Sequence, residues 1–168
     1  IPMLNELLRD PKIQDRYQFL LYVYPTGVPV PMAAAGLRDA LRDAQKLFDQ
    51  PGTRTPEREF DQMVLLGHSM DGLLSHFQVV ESGNKLWELS SDKSFDEIVG
   101  SPEMIAELKR FCFFEPLPFV KRVVFLATPH RGSELSRRLV GHVVSRQISE
   151  PEDVHKLLTT LVKENPDA

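Results

Sequence analysis

The chain has little of what would place it in several large classes of protein. Its single cysteine, Cys112, excludes an intramolecular disulfide. The thiol lies in the apolar run RFCFFEPLPF, which reads as a buried, inert setting and leans toward a reducing compartment. No apolar run approaches the roughly 18 residues that a membrane-spanning helix needs, so no integral membrane segment is expected. The N-terminus IPMLNELLRD lacks the basic start and continuous apolar block of a secretion signal; this favours a soluble cytoplasmic chain, and does not exclude a signal already removed. The first residue is Ile1 rather than Met, which suggests processing or a piece of something longer. Positive charge is not in excess: 20 Lys and Arg stand against 24 Asp and Glu, a net charge of -4. That balance disfavours nucleic acid as a partner. Zinc-type His spacing and both glycine-rich phosphate patterns are missing, so neither a metal nor a cofactor is expected.

What is present is the composition of an ordinary globular protein, with 42% hydrophobic and 26% charged residues over 168 positions. That is one domain, residues 1–168, long enough to bury a core without staples. Tyr17 to Tyr24, YQFLLYVY, reads as a buried strand closed by the turn PTG. Ala33 to Phe48 places Leu37, Leu41, Ala44, Leu47 and Phe48 at helical spacing. Gln62 to Leu66 reads as a second buried strand, Met70 to Val80 as a helix stopped at Gly83, and Lys121 to Thr128 as a third strand. Residues 85–118 form an excursion between these elements with one helix, Pro102 to Phe111. Two further helices are expected at Leu135 to Val144 and Val154 to Val162. Strands that alternate with helices and read as continuous apolar runs imply an α/β fold, a three-layer αβα arrangement around a mainly parallel sheet. Chemistry in such sheets gathers at the carboxyl ends of strands. Three ends qualify here: YPTG, GHSMDG and ATPHRGS.

Ser69 stands where the second strand turns into a helix. A serine hydroxyl reacts only when it is exposed, has a base nearby and faces donors for the oxyanion that develops. A sharp strand-to-helix turn lifts the side chain above the sheet and aims the Met70 N–H at that charge. Gly67 and Gly72 leave room for strand and helix to approach. His68 points to the other side of the turn. The plainer alternative is that Ser69 merely caps the helix.

The stretch LLGHSMDGLLS resembles the nucleophile elbow of α/β-hydrolases in its Gly-His-Ser-Met-Gly-Gly form. VVFLATPHRGSEL resembles the strand and loop that follow it in many lipases and esterases, and YPTG is a third matching element. The resemblance spans Tyr17 to Leu139. It implies carboxylic ester hydrolysis through an acyl-enzyme on Ser69, with Met70 N–H as one oxyanion donor and a small-molecule or lipid ester as substrate. Two departures stand out. Asp71 replaces the elbow's third glycine: its charge suits the helix dipole and its bulk does not suit the close packing, so it is expected to harm the elbow by distorting the oxyanion donor, the alternative being that it swings outward harmlessly. Family order places the acid and the histidine beyond strands that this sequence does not show after Ser69, so the expected fold is partial, lacking terminal strands. The strand that should separate the Tyr17 and Gln62 strands is also missing; either those two pair directly or another chain fills the gap.

Five histidines are available as a base. His76 lies two turns into the helix and His142 and His155 fall on surface helices, whereas His130 shares the rim with Ser69. His130 is therefore the candidate base, although in the family the matching histidine shapes the loop. Asp71, Asp92 and Asp96 are candidate orienting acids. The aromatic excursion 85–118, with Trp87, Phe95, Phe111, Phe113 and Phe114, reads either as a cap over the acyl site or as a satellite of the core. A competing reading is a hydrolase-like remnant without chemistry, an assembly module whose unpaired strand edges recruit a second copy into a homo-oligomer.

Overall fold

The computed structural model describes residues 2–25, 27–48 and 59–131, together with 156, 159, 160, 163 and 165. Their elements run α1 (Pro2–Arg9), α2 (Pro11–Gln14), α3 (Val30–Phe48), a 3-10 turn (Glu59–Gln62), β1 (Met63–His68), α4 (Met70–His76), α5 (Lys85–Glu88), a second 3-10 turn (Phe95–Glu97), α6 (Pro102–Cys112) and β2 (Val120–Leu126). Among the described residues the sheet has two strands, β1 and β2, paired in parallel with Gly67 opposite Phe125 and His68 opposite Leu126. The fold is thus mixed α/β.

Helix α3 forms as its pattern predicts, with Pro31 in the first turn, where a missing N–H costs nothing. It buries Ala33, Ala34, Leu37 and Leu41 against Leu74 of α4 and against Leu117, Phe119 and Val120. Met63, Leu65 and Val123 extend this core onto one face of the sheet. Leu74 is 1% exposed, a burial that stabilises by about 2 kcal/mol. Gln78, fully buried just past α4, donates to Ala34 O at 3.0 Å and Leu74 O at 2.8 Å, which ties α4 to α3. Leu47, expected on the core stripe, is exposed: it lies in the last turn of α3, beyond the buried stretch that ends at Leu41.

The excursion folds as a second cluster. Ser101 caps α6 by accepting from Met104 N–H, and Pro102 occupies the first turn, as the sequence leads one to expect. Helix α6 buries Met104, Leu108, Phe111 and Cys112 with Trp87, Ile98 and, from α3, Ala35. Trp87 packs edge-on against Phe95 and donates its indole N–H to Lys93 O at 2.8 Å. Cys112 is a free buried thiol whose pKa is raised by that burial.

Three expectations need correction. Tyr17 to Tyr24 is not a strand, and it does not pair with β1. Its aromatic and apolar side chains suit a pleated surface, but a strand exists only with a ladder partner for its amides, and none of the described elements provides one. Tyr22 and Tyr24 turn to the same side and stack at 5.7 Å, while Leu20, Leu21 and Val23 are exposed, Val23 by 87%. Second, β1 and β2 are not buried on both faces. Val64 and Leu66 are 38% and 39% exposed, and no described element covers their side of the sheet. Third, α4 ends at His76 rather than near Val80, because Phe77 to Val80 leave the helix as a turn around the buried Gln78. The helix expected at Leu135 to Val144 lies outside the described residues; of Val154 to Val162 only Lys156, Thr159 and Thr160 are described, each helical.

Candidate functional site

Ser69 follows β1 directly and precedes α4, with φ 55° and ψ -123°. Those are the angles of the first central residue of a type II′ turn, a position that normally requires glycine. An L-residue there stores about 1–3 kcal/mol of strain. The turn is pinned on both sides: Ser69 N–H donates to Leu126 O at 2.8 Å, extending the parallel ladder by one residue, and Gly72 N–H donates to Ser69 O at 3.2 Å. The side chain is exposed and makes no cap hydrogen bond. The capping alternative for Ser69 is thereby ruled out. Met70 is the first helical residue, and its N–H is one of the four that a helix leaves without an intrahelical acceptor.

Two glycines make the turn sterically attainable. A Cβ on Gly67 would lie 2.5 Å from Gly72 Cα, 2.6 Å from Gly72 N and 2.7 Å from Asp71 O. A Cβ on Gly72 would collide with the Thr128 side chain, which sits over it from the loop after β2. Strand, helix and neighbouring loop therefore meet at the two glycines. The Asp71 side chain stands clear of that contact, to which the residue contributes only its carbonyl oxygen. Its carboxylate turns outward and accepts from Tyr24 Oη–H at 2.6 Å, the outward of the two arrangements expected for it.

The Tyr24–Asp71 bond has no counterpart in the sequence reading, which placed Tyr24 only at a strand end. The three polar ends nevertheless converge: Tyr24 of YPTG reaches Asp71, and Thr128 of ATPHRGS covers Gly72. Burial, then the hydrogen bond and negative charge of Asp71, push the Tyr24 phenol up from its ordinary 10.0. A folded-state pKa above the unfolded one means that this contribution is complete below about pH 10 and fades as pH climbs through the folded value. Tyr24→Phe is expected to remove part of the tyrosinate absorbance that develops above that range. It should cost under about 1 kcal/mol, because solvent shares the pair. Burial raises the Tyr22 phenol as well, so a late phase remains in the variant; one of undiminished amplitude would contradict the assignment.

Strain also marks the adjoining strand end. Ala127, the residue after β2, has φ 50°, so both non-glycine residues with positive φ among those described are the first residues past a strand on one rim. His130 follows in the same loop. Its ring packs edge-on against Phe125 at 4.5 Å and edge-on against His76 at 5.8 Å, a contact that no local sequence pattern announces. Among the described residues Ser69 Oγ and His130 share no hydrogen bond. His68 is exposed beside the turn. Asp92 and Asp96 are exposed in the excursion, beside Trp87 and Phe95 in a cleft of the second cluster. His142 and His155 lie outside the described residues. No group of three or more metal-ligating side chains occurs among the described residues.

No family model, curated protein or solved structure matches the chain. The functional reading therefore rests on the geometry around Ser69. None of the described helices is long and apolar enough to cross a membrane.

Proposed function

We propose that the chain is a serine hydrolase of the esterase or lipase type, with Ser69 as nucleophile, on a partial three-layer α/β-hydrolase fold. The observation that carries this reading is the backbone of Ser69. An exposed serine held at φ 55°, without a capping bond, is a strained arrangement that helix capping does not require. Strain of this kind persists where the surrounding structure over-determines it, here through the Leu126 and Gly72 hydrogen bonds and the glycine contact.

In this mechanism Ser69 Oγ attacks the ester carbonyl carbon as its proton passes to a base, and Met70 N–H donates to the oxyanion. Collapse of the tetrahedral intermediate returns the proton to the departing alcohol and leaves an acyl group on Ser69. Water attacks that acyl-enzyme by the same route and releases the carboxylic acid. His130 is the described histidine that follows a strand on the rim of Ser69, so it is the base assigned here. Its ring rests on Phe125, so proton transfer needs a swing of the ring or one bridging water.

A fluorophosphonate probe tests the assignment, since it phosphonylates only an activated serine. Wild-type protein is expected to gain one adduct at Ser69, and Ser69→Ala none, by intact-mass spectrometry. An unlabelled wild-type protein would favour the second reading, a catalytically silent assembly module. That reading has its own support in the exposed Leu20, Leu21 and Val23 and in the open sheet face at Val64 and Leu66. It predicts self-association, measurable by sedimentation.

A further inference from the structure

Away from Ser69, helices α3 and α6 border an open cleft of about 430 Å³. Its walls carry Arg38, Arg42, Lys109 and Arg110, with Phe113 and Phe114 as the apolar part and Asp39 as the one acid. Arg110 is already satisfied: its Nε donates to Asp39 Oδ2 at 2.7 Å and its Nη1 to Glu107 Oε2 at 2.9 Å. The other three cations are not matched in this way. Arg42 and Lys109 form no ion pair among the described residues; the Lys109 ammonium lies 5.7 Å from the centre of the Phe95 ring, a contact that leaves its charge unneutralised. Arg38 is only 3% exposed, lies 4.1 Å above the Phe114 ring and spends one nitrogen on Phe77 O, yet its Nε has no acceptor.

A buried guanidinium nitrogen without an acceptor is costly, and buried charges in proteins are otherwise paired. Arg38 and Arg42 are also one helical turn apart on α3, where like charges repel. Burial first, then the Arg42 charge, pull the Arg38 pKa down from 12.5 to about 10, so the group stays cationic at pH 7 in an unfavourable setting. Four cations against the carboxylates of Asp39 and Glu107 leave an excess of two positive charges, in a chain whose net charge is -4. The local excess runs against the sign of the whole molecule. An anion between α3 and α6 would offset the excess charge and relieve the Arg38–Arg42 repulsion. Guanidinium groups present planar forks of donors that match the oxygens of phosphate, and an ammonium adds a third point of charge. The Phe113 and Phe114 side chains offer an apolar surface for whatever the phosphate is attached to.

We propose that this cleft binds a small phosphate monoester bearing an apolar or aromatic group, held by Arg38, Arg42 and Lys109. The site is independent of Ser69 and of any hydrolytic activity.

Calorimetric titration of the protein with phenyl phosphate and with inorganic phosphate, at low ionic strength, tests the proposal. Both should saturate a single site, phenyl phosphate with the higher affinity. Arg42→Ala and Lys109→Ala should each weaken binding about tenfold, the loss of one charge-assisted contact. Lys46→Ala, an exposed cation on α3 already paired with Asp43, should leave it unchanged. Both cleft variants remove solvent-facing charges, and their circular dichroism should match the wild type, which separates a lost contact from a lost fold. Absence of saturable binding, equal weakening by Lys46→Ala, or binding only to phosphatidate vesicles and not to soluble phenyl phosphate would each overturn the proposal.

Discussion

Ser69→Gly is expected to abolish acylation and, at the same time, to make the protein more stable. A φ of 55° with ψ -123° is strained for serine and ordinary for glycine. Relief of roughly 1–3 kcal/mol of strain, less the greater freedom glycine has in the unfolded chain, leaves a net gain of about 1 kcal/mol. In a chain of this size that is roughly 2–4 °C in Tm. Ser69→Ala keeps a β-carbon in the same strained position, so it should lose activity equally while melting with the wild type. For a nucleophile of this kind, ester turnover should fall by roughly 10⁴-fold or more in both variants. The comparison of glycine with alanine is what isolates the backbone: calorimetric melting of the two variants measures strain, and p-nitrophenyl ester hydrolysis measures chemistry. Equal stability of the two would mean that the turn is relaxed and that the strain argument is wrong.

Gly67→Ala should be the most damaging glycine-to-alanine change among the described residues. The new carbon would approach Gly72 Cα and N and the Asp71 carbonyl, all backbone atoms, so no rotamer change can make room. Helix α4 would have to lift from β1, and Leu74 would leave the core with it. Over-packing in a rigid contact costs about 3 kcal/mol or more at its upper end. Gly83→Ala is the matched comparison. Gly83 also has positive φ, but a Cβ there meets nothing within 4 Å, so only the backbone penalty of about 1 kcal/mol applies. Urea unfolding of the two variants reads the difference. If Gly67→Ala costs no more than Gly83→Ala, strand and helix are not in the contact described.

Much of this local geometry was legible in the sequence. The order Gly67, Ser69, Gly72 between a β-branched run and an amphipathic one marks a tight strand-to-helix turn, and both flanking elements begin within a residue of where the pattern puts them, although β1 runs on to His68 and α4 stops at His76. The helices α3 and α6 were readable from apolar spacing and early prolines. The Tyr17–Tyr24 segment was not, because hydrophobic pattern reports what a side chain wants to cover and is silent about whether a neighbouring strand exists to accept its hydrogen bonds. The same limit explains Val64 and Leu66, whose apolar character implies a cover that none of the described elements supplies. Pairings across the chain were equally out of reach. Nothing local to Asp71 announces Tyr24, 47 positions earlier, and nothing local to His130 announces His76. Both depend on how α4 lies against its surroundings. The buried Arg38 was hidden for a different reason: on an amphipathic helix an arginine between Leu37 and Leu41 reads as a solvated face, and only the packing of Phe114 and the α4 terminus over it reveals otherwise.

The placement of Trp87 has a practical corollary for optical work. It is the single indole of the chain, and it is anchored to Lys93 and Phe95 within the second cluster. Intrinsic emission therefore reports on the lobe built around α6, and a local opening of the β1–α4 junction at Ser69 would pass unseen by fluorescence, needing a probe placed in the first cluster to be observed.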